Sequence, residues 1–261
     1  MKASRVAGLL LAGASVLVAL AAPVLAPFSP THMMLTHVLV PPLSHGPEGM
    51  LWLGTDGLGR DVLSRLMYGA QTSLGVGLVA VGLAVGVGVA VGVAAALGGR
   101  RADATLMRLT DIMLCFPTIF LILAVIALLT PSLLNVMIII GLTSWMGVAR
   151  LVRAEVLAVK GRAWMQAAQL AGVGGVRLAW RHVLPNVLPP IITSASLGLA
   201  AAILTEAGLS YLGLGVQPPT PSWGAMLTEG KAVMEAAWWL ITFPGLAIVA
   251  TVLGFTLLRE D

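Results

Sequence analysis

Six long apolar runs constrain this chain more than any other feature of its sequence. The hydrocarbon core of a bilayer is about 30 Å thick, and a helix of about 20 apolar residues crosses it. Only 10% of the residues are charged, whereas about 25% are charged in a typical soluble domain, and the mean hydropathy is +0.98. We therefore predict an all-α integral membrane protein with about six transmembrane helices. The predicted spans cover residues 6–25, 70–97, 111–129, 133–148, 187–207 and 237–258.

The first apolar run follows Lys2 and Arg5 and has two interpretations. One is a cleaved signal peptide, because Ala19-Leu20-Ala21 offers a cleavage-like site. The run is longer than the apolar region of a signal peptide, usually about 7–15 residues, so we predict a retained first span. Both interpretations give the same sidedness for the remaining spans.

The distribution of basic residues predicts the orientation of the chain in the membrane. With six spans and a cytoplasmic N-terminus, only Arg60, Arg65 and Lys231 among the 15 Lys and Arg residues fall outside. Cytoplasmic loops of membrane proteins are enriched in these two residue types. We therefore predict a multi-pass protein of a bacterial-type inner membrane, with both termini in the cytoplasm. The formal net charge of +4 follows from this topology and requires no nucleic-acid partner.

A charged segment at residues 154–186 separates the fourth and fifth predicted spans. It predicts a short helix around Gln166 that stops at Gly172, then a second helix over 176–184 that breaks at Pro185. A helix–turn–helix held between two spans suggests a docking element. On the residues alone, an ordinary basic loop on the cytoplasmic side remains an equal alternative.

This segment resembles the EAA loop of ABC-importer permeases. The family pattern is Glu-Ala-Ala, a Gly four positions after the second Ala, and then Ile-x-Leu-Pro. In this chain Gln166 replaces the Glu and His182 stands at the Ile position. The resemblance implies a coupling helix that sits in a cleft of a cytoplasmic ATPase subunit. The expected ATPase-coupling residues are Gln166, Ala167, Ala168, Gly172, Arg177, Arg181, His182, Leu184 and Pro185.

Two further stretches resemble one branch of these permeases, the dipeptide, oligopeptide and nickel group. Residues 53–74 match the pattern LGTDxxGRDxxSRxxxGAxxSL, and residues 206–224 match a second string of that branch. On the residues alone, the first stretch is rich in turns and spaces Asp61 and Arg65 as an i,i+4 ion pair. The resemblance implies the fold of a type I ABC importer permease over most of the chain.

The function implied by the resemblance is that of a transmembrane permease subunit in an ATP-driven importer that depends on a solute-binding protein. Its expected partners are a second homologous permease, two cytoplasmic ATPase subunits, an extracytoplasmic solute-binding protein and the lipid bilayer. Di- and oligopeptides are the first expectation for the substrate, and nickel or a nickel chelate is the alternative. A transporter that needs no ATPase is a distant alternative. The expected domains are residues 1–69, the first helix with an external loop, and residues 70–261, the permease core.

No catalytic motif accompanies these stretches. The phosphate-binding pattern GxxxxGK[ST] is absent, so we expect a translocation subunit without its own ATPase site. No cofactor is expected on this chain, and ATP with Mg²⁺ is expected on the partner ATPase subunits. Glu206, close to the end of an apolar span, and Ser210 are candidates for the translocation path, and an interfacial Glu206 that is solvated or bonded to a serine is an equal alternative. His32, His37 and His45 are weak candidates for metal ligands in the first external loop.

Other residues carry structural expectations. Asp111 is expected to open the third span, Pro117 to kink it, and Cys115 to be a small buried residue. In the second span, two glycine pairs at small-xxx-small spacing predict a face that another helix approaches closely. These pairs are Gly82 with Gly86 and Gly88 with Gly92.

Overall fold

The computed structural model describes residues 3–130, 132–171, 173 and 175–258, and most of them are helical. Within these residues the chain forms eleven α-helices, one π-helical turn and one antiparallel hairpin. The hairpin joins β1 (Ser44–Gly46) to β2 (Gly49–Leu51). The π turn covers Ala179–Val183. The helices are α1 (Ala3–Leu25), α2 (Val62–Leu97), α3 (Gly99–Leu114), α4 (Thr118–Ile126), α5 (Leu133–Leu142), α6 (Trp145–Lys160), α7 (Ala163–Leu170), α8 (Gly175–Leu178), α9 (Leu184–Tyr211), α10 (Trp223–Lys231) and α11 (Trp239–Leu257).

Five helical stretches of the described chain are long and apolar enough to cross a membrane. They are α1, α2, α5 with α6, the π turn with α9, and α11. Helices α3 and α4 form a sixth candidate, a bent pair whose axes meet at 81°. The prediction of an all-α membrane protein with about six spans is therefore confirmed.

The third span differs from the prediction in where it begins. The polar composition of residues 98–110 predicts a connection, but α3 already begins at Gly99. Asp111 lies inside this helix and does not open it, so that expectation is wrong. The polar residues of α3 are helical because they bond to the neighbouring α6. The carboxylate of Asp103 accepts hydrogen bonds from Arg153, and that of Asp111 accepts one from Arg150.

The break between α3 and α4 falls at Cys115, Phe116 and Pro117. Pro117 has no N–H to donate, and it disfavours helical geometry in the residue before it. The kink expected at this proline is therefore confirmed. The side chain of Cys115 is exposed, with its Sγ 3.3 Å from the carbonyl oxygen of Asp111. The expectation of a buried cysteine is wrong, because Cys115 lies at the break between α3 and α4, where its side chain is exposed.

The fourth span is longer than predicted, because α6 continues to Lys160. A helical stripe of valines drives this extension, since burying apolar side chains on one face stabilises a helix. Arg150 and Arg153 consequently lie within α6, not in a loop that follows it. The buried stripe consists of Val148, Val152, Val156 and Val159.

The described chain divides into two compact units. Unit 1 comprises Met1–Leu78, Leu129–Met137 and Leu199–Asp261, and unit 2 comprises Val79–Leu128 and Ile138–Gly198. In unit 1, α1 packs along α11 at small residues. A Cβ added at one contact glycine, Gly254, would lie 2.6 Å from a backbone nitrogen of α1. The two helices therefore depend on glycine for this close approach.

In unit 2, one of the two glycine pairs of α2 forms the expected close contact. A Cβ added at Gly88 would lie 2.6 Å from the Cβ of Val148 in α6, and one at Gly92 would crowd α6 equally. Gly82 and Gly86 are different, because an added Cβ would meet no described atom within 4 Å there. The predicted close face is confirmed for the second pair only.

Candidate functional site

The segment between α6 and α9 holds the expected coupling residues, and we call residues 163–186 the coupling segment. It contains α7, α8, the π turn and the first residues of α9. The expected first helix is present and ends at Leu170. Gly172, its predicted stop, lies outside the described residues, as does the side chain of Ala168.

One face of the coupling segment is anchored in the core of unit 2. Met165 of α7, Leu178 of α8 and Val183 of the π turn are buried. They belong to one apolar cluster with the valine stripe of α6. Because all three helical pieces contribute a buried side chain, the segment is a packed part of the unit rather than a loose loop.

The other face of the coupling segment is exposed and carries most of the predicted residues. Gln166, Ala167, Arg177, Arg181 and Pro185 are exposed, while Leu184 and His182 are partly buried. The ring centroids of His182 and Trp164 lie 6.4 Å apart. The described predicted residues are therefore exposed or partly exposed, and their role in docking stays a prediction.

Three large apolar side chains of the coupling segment are exposed and were not among the predicted residues. Trp164 is 40% exposed, Trp180 is 72% exposed and Leu170 is 90% exposed. Exposed apolar side chains of this size, together with cations and small residues, are typical of an interaction surface. The sequence contained a signal for this exposure, because in a short helix only one side is buried and these residues fall between the buried positions.

Pro185 does not break the chain, which corrects the prediction. The π turn runs directly into α9, and the Leu184 N–H donates to the carbonyl oxygen of Ala179, the five-residue step of a π-helix. Pro185 brings no N–H, and its ring crowds the carbonyl four residues earlier, which the wider π turn accommodates. The side-chain amide of Asn186 donates to the carbonyl oxygen of His182 at 2.7 Å.

Unit 2 also has an apolar groove of about 810 Å³ beside this segment. Its walls come from the second half of α2, including Val89 and Val93, and from the π turn and the start of α9, including Trp180 and Leu188. The groove therefore adjoins the exposed face of the coupling segment.

Four charged residues in unit 1 form a cluster that the sequence reasoning did not anticipate. Asp56 accepts hydrogen bonds from the backbone N–H groups of Leu58 and Arg60 at 2.8 and 2.9 Å, and from the Arg60 Nε at 2.7 Å. Arg65 donates to the same carboxylate. Glu229 of α10 accepts from Arg60 at 2.8 Å and from the Arg65 Nη2 at 2.9 Å. This four-charge cluster pairs two cations with two anions and ties the loop before α2 to α10.

The predicted ion pair between Asp61 and Arg65 is absent from this arrangement, so that expectation is wrong. The guanidinium of Arg65 points to Asp56 and Glu229 instead. Asp61 caps α2, because its carboxylate accepts from the backbone N–H and from the hydroxyl of Ser64, both at 2.7 Å. Burial raises the pKa of the Asp61 carboxyl above its ordinary value, while the bonds from Ser64 lower it.

The turn glycines of this loop have different surroundings. Gly59 has φ +72°, and a Cβ there would lie 2.2 Å from the carbonyl oxygen of Met34. Gly54 is similar, with φ +80° and a carbonyl oxygen 2.5 Å from an added Cβ. Only glycine tolerates both conditions. At Gly57 an added Cβ would meet no described atom within 4 Å.

Glu206 lies at the centre of a second buried cluster in unit 1. Its carboxylate accepts hydrogen bonds from the hydroxyl groups of Ser210 at 2.7 Å, Ser222 at 2.9 Å and Ser73 at 3.3 Å. Each serine oxygen in turn accepts a backbone N–H, from Val216, Ala225 and Trp223 respectively. This Glu206 cluster fastens the segment between α9 and α10 to α2. A role of Glu206 and Ser210 in the translocation path stays a prediction.

The three histidines of the first predicted external loop have different surroundings. The Nε2 of His32 is 3.1 Å from Glu48, and the Nδ1 of His37 is 2.9 Å from the hydroxyl of Thr36. His45 lies in β1. Among the residues that the structure describes, no three His, Cys, Asp or Glu side chains are grouped to hold a metal ion. The metal-ligand role of these histidines stays a prediction.

Several known proteins are similar to this chain in sequence. The family model of the binding-protein-dependent transport system inner membrane component matches residues 84–260. A di/tripeptide transport system permease of Pseudomonas aeruginosa is 42% identical over 254 residues, which are 97% of this chain and 84% of that protein. A dipeptide transport system permease of Escherichia coli is 44% identical over 90% of this chain and 79% of its own length.

A relative named for another substrate is about equally similar. A glutathione transport system permease of Shigella flexneri is 43% identical over 84% of this chain and 72% of that protein. The family match includes both the coupling segment and the Glu206 cluster's α9 residues.

Proposed function

The chain belongs to the family of binding-protein-dependent transport system inner membrane components, and we propose that it carries di- and oligopeptides across the membrane. It is a permease of an ABC importer and a multi-pass protein of the inner membrane. Proteins of this family work with an ATPase and a solute-binding protein. The names of its relatives specify dipeptides, tripeptides and glutathione, which supports small peptides over nickel as the cargo.

The proposed complex pairs this chain with a second homologous permease, two cytoplasmic ATPase subunits and one extracytoplasmic solute-binding protein. ATP and Mg²⁺ bind to the ATPase subunits, because the sequence has no phosphate-binding GxxxxGK[ST] pattern. Both termini lie in the cytoplasm. The support for this orientation is the excess of Lys and Arg in the segments that it places inside.

The coupling segment is the proposed contact with the ATPase. The observation that supports this assignment is that the segment has both buried residues, packed on the spans, and exposed residues. Its buried residues Met165, Leu178 and Val183 pack with α6, so a force applied to the segment acts on the spans directly. Its exposed residues include Ala167, where a partner can approach closely, and Arg177. Closure of the ATPases on ATP moves this segment as a rigid body and switches the spans between inward-open and outward-open states.

The test places one bulky residue on the docking face. Ala167→Trp adds a large side chain to exposed surface, so the chain folds normally but loses the close approach of the ATPase. We expect co-purification of the ATPase with this variant to fall at least about tenfold, as for loss of one central contact of an interface. Ala236→Trp is the matched control, because Ala236 is also exposed and lies in unit 1. Equal ATPase recovery with both variants would remove the docking assignment.

Gly172 carries a related prediction, although it lies outside the described residues. Gly172→Trp should abolish uptake and leave membrane insertion intact, since the glycine is expected to let the ATPase approach. Wild-type uptake by this variant would contradict that expectation.

The substrate is tested by reconstitution of the whole transporter in proteoliposomes with its solute-binding protein. We expect ATPase activity to rise when that protein is loaded with di- or oligopeptides and to stay basal with a nickel chelate. Stimulation by the chelate alone would overturn the peptide proposal. Uptake without any ATPase subunit would favour a secondary transporter.

A further inference from the structure

Helix α3 presents two arginines and a threonine on one exposed face. Arg101, Thr105 and Arg108 follow one another at i, i+4 and i+7, a spacing that places all three on the same side of an α-helix. All three are exposed. Two guanidinium groups and a hydroxyl group therefore share a short stretch of accessible surface.

The two acidic residues of α3 form ion pairs with arginines of α6 and not with Arg101 or Arg108. The carboxylate of Asp103 receives both the Nε and the Nη2 of Arg153, the latter at 2.7 Å. Asp111 receives Arg150, which also belongs to α6. No ion pair in the described chain includes Arg101 or Arg108. Their charge is thus left for a ligand outside the chain.

Apolar surface adjoins the two cations. A groove of about 370 Å³ is lined by Ala104, Thr105, Arg108, Leu109 and Ile112. Leu109 is 52% exposed and Ile112 is 54% exposed. Cations beside an open apolar groove match a molecule that has a phosphate at one end and hydrocarbon at the other.

The 81° bend gives this face a position relative to the membrane. Helix α4 is apolar throughout, as a segment in the hydrocarbon core must be. Helix α3 meets α4 at 81°, so the charged residues of α3 lie off the axis of α4. An arginine in the core is costly, whereas at the headgroup layer it meets phosphate.

We propose that this face of α3 binds an anionic phospholipid. Arg101, Thr105 and Arg108 contact the phosphate, and an acyl chain lies over Leu109 and Ile112. The proposal rests on the membrane assignment of the chain and on none of its substrate assignment. The proposed topology assigns the lipid to the cytoplasmic leaflet. A partner subunit is the competing occupant, and the experiment distinguishes it from a lipid.

The experiment measures lipid retention by the complete transporter purified with its partner subunits. The complex is extracted from nanodiscs of phosphatidylcholine mixed with phosphatidylglycerol, and the retained lipids are quantified by mass spectrometry. Arg108→Gln should lower the enrichment of phosphatidylglycerol about fivefold, the effect of one basic residue at an anionic surface. Thr105→Val should lower it less. Arg100→Gln is the matched control, since it removes the same charge from α3 about a quarter-turn off the stripe.

Two outcomes would overturn the proposal. Equal enrichment in Arg108→Gln and Arg100→Gln would show that the stripe has no lipid specificity. Loss of a partner subunit from Arg108→Gln with unchanged lipid enrichment would identify the face as a subunit contact. A failure of peptide transport would affect the proposed function and not this measurement, because lipid retention needs no substrate.

Discussion

The coupling segment and the loop before α2 both match family patterns, yet they use their pattern residues in opposite ways. In the loop, Asp56 and Arg60 of the pattern are buried, while Gly57 and Leu58, at its variable positions, are exposed. In the coupling segment, pattern residues such as Gln166 and Ala167 are exposed. A match to a family pattern therefore does not show whether the matched residues contact their own chain or a partner protein.

The arginines of the two regions show the physical difference. Arg65 is buried and meets two carboxylates of its own chain, so its charge is balanced internally. Arg177 is exposed in the coupling segment, where no described residue forms an ion pair with it. We therefore expect changes in the loop to affect stability and changes in the coupling segment to affect assembly.

The largest effect should come from Arg65→Leu. It leaves Asp56 and Glu229 with one cation instead of two, and breaking a buried charge network costs about 3–5 kcal/mol. Thermal unfolding of the purified chain measures this loss. Arg177→Leu is the paired control, with a stability change within about 0.5 kcal/mol and reduced recovery of the ATPase. Equal destabilisation by both variants would contradict the inference that Arg65 stabilises the fold and Arg177 does not.

The next effect concerns the turn geometry of the loop. Gly59→Ala should destabilise the chain by about 2–4 kcal/mol, because its φ is positive and a Cβ would overlap the Met34 carbonyl. Gly57→Ala, two residues away, should stay within about 0.5 kcal/mol. Resistance to limited proteolysis measures both variants. A stable Gly59→Ala variant would show that the loop is not a rigid part of unit 1.

A smaller effect is expected from Glu206→Gln. This variant distinguishes a role of Glu206 in stability from a role in transport. The amide oxygen still accepts from Ser210 and Ser222, and only the bond from Ser73 must rearrange. We expect a loss of about 1–2 kcal/mol in unfolding free energy with peptide uptake retained. Lost uptake at retained stability would instead support the predicted role in the translocation path.

The smallest effect should be a change in pH dependence at Asp61. Burial raises the pKa of this carboxyl, so the folded state holds the proton more tightly than the unfolded state. The stability that comes from this proton is complete below the unfolded pKa and is lost as the pH rises through the folded pKa. Asp61→Asn should therefore gain stability relative to wild type as the pH rises from acidic to neutral. Parallel melting-temperature profiles of the two proteins would contradict this.

Much of the fold could be predicted from the sequence, because long apolar runs leave few alternatives in a membrane. The kink at Pro117 could also be predicted, since proline lacks an N–H wherever it occurs. The start of α3 could not be predicted, because its polar residues are held by arginines of α6, more than 35 residues away. The helix that continues through Pro185 could not be predicted either, because a π turn has no simple period in the sequence.

The site was predictable where the pattern itself names residues. Gln166 and Ala167 stand at positions of the family pattern and are exposed, and their part in docking stays a prediction. Trp180 and Leu170 were not found, because an apolar residue in a short helix is usually assigned to the core. The four-charge cluster was missed because Glu229 lies more than 160 residues from its partners.

The sequence by itself determined the membrane class, the number of spans and the family, because hydropathy and local patterns are properties of neighbouring residues. Only the tertiary structure decided which patterned residues face inward and which face outward. Burial and ion pairing depend on segments that meet after folding, as Arg65 and Glu229 do. A linear pattern does not show which distant segments come into contact. The sequence alone therefore does not distinguish the buried, paired Arg65 from the exposed Arg177.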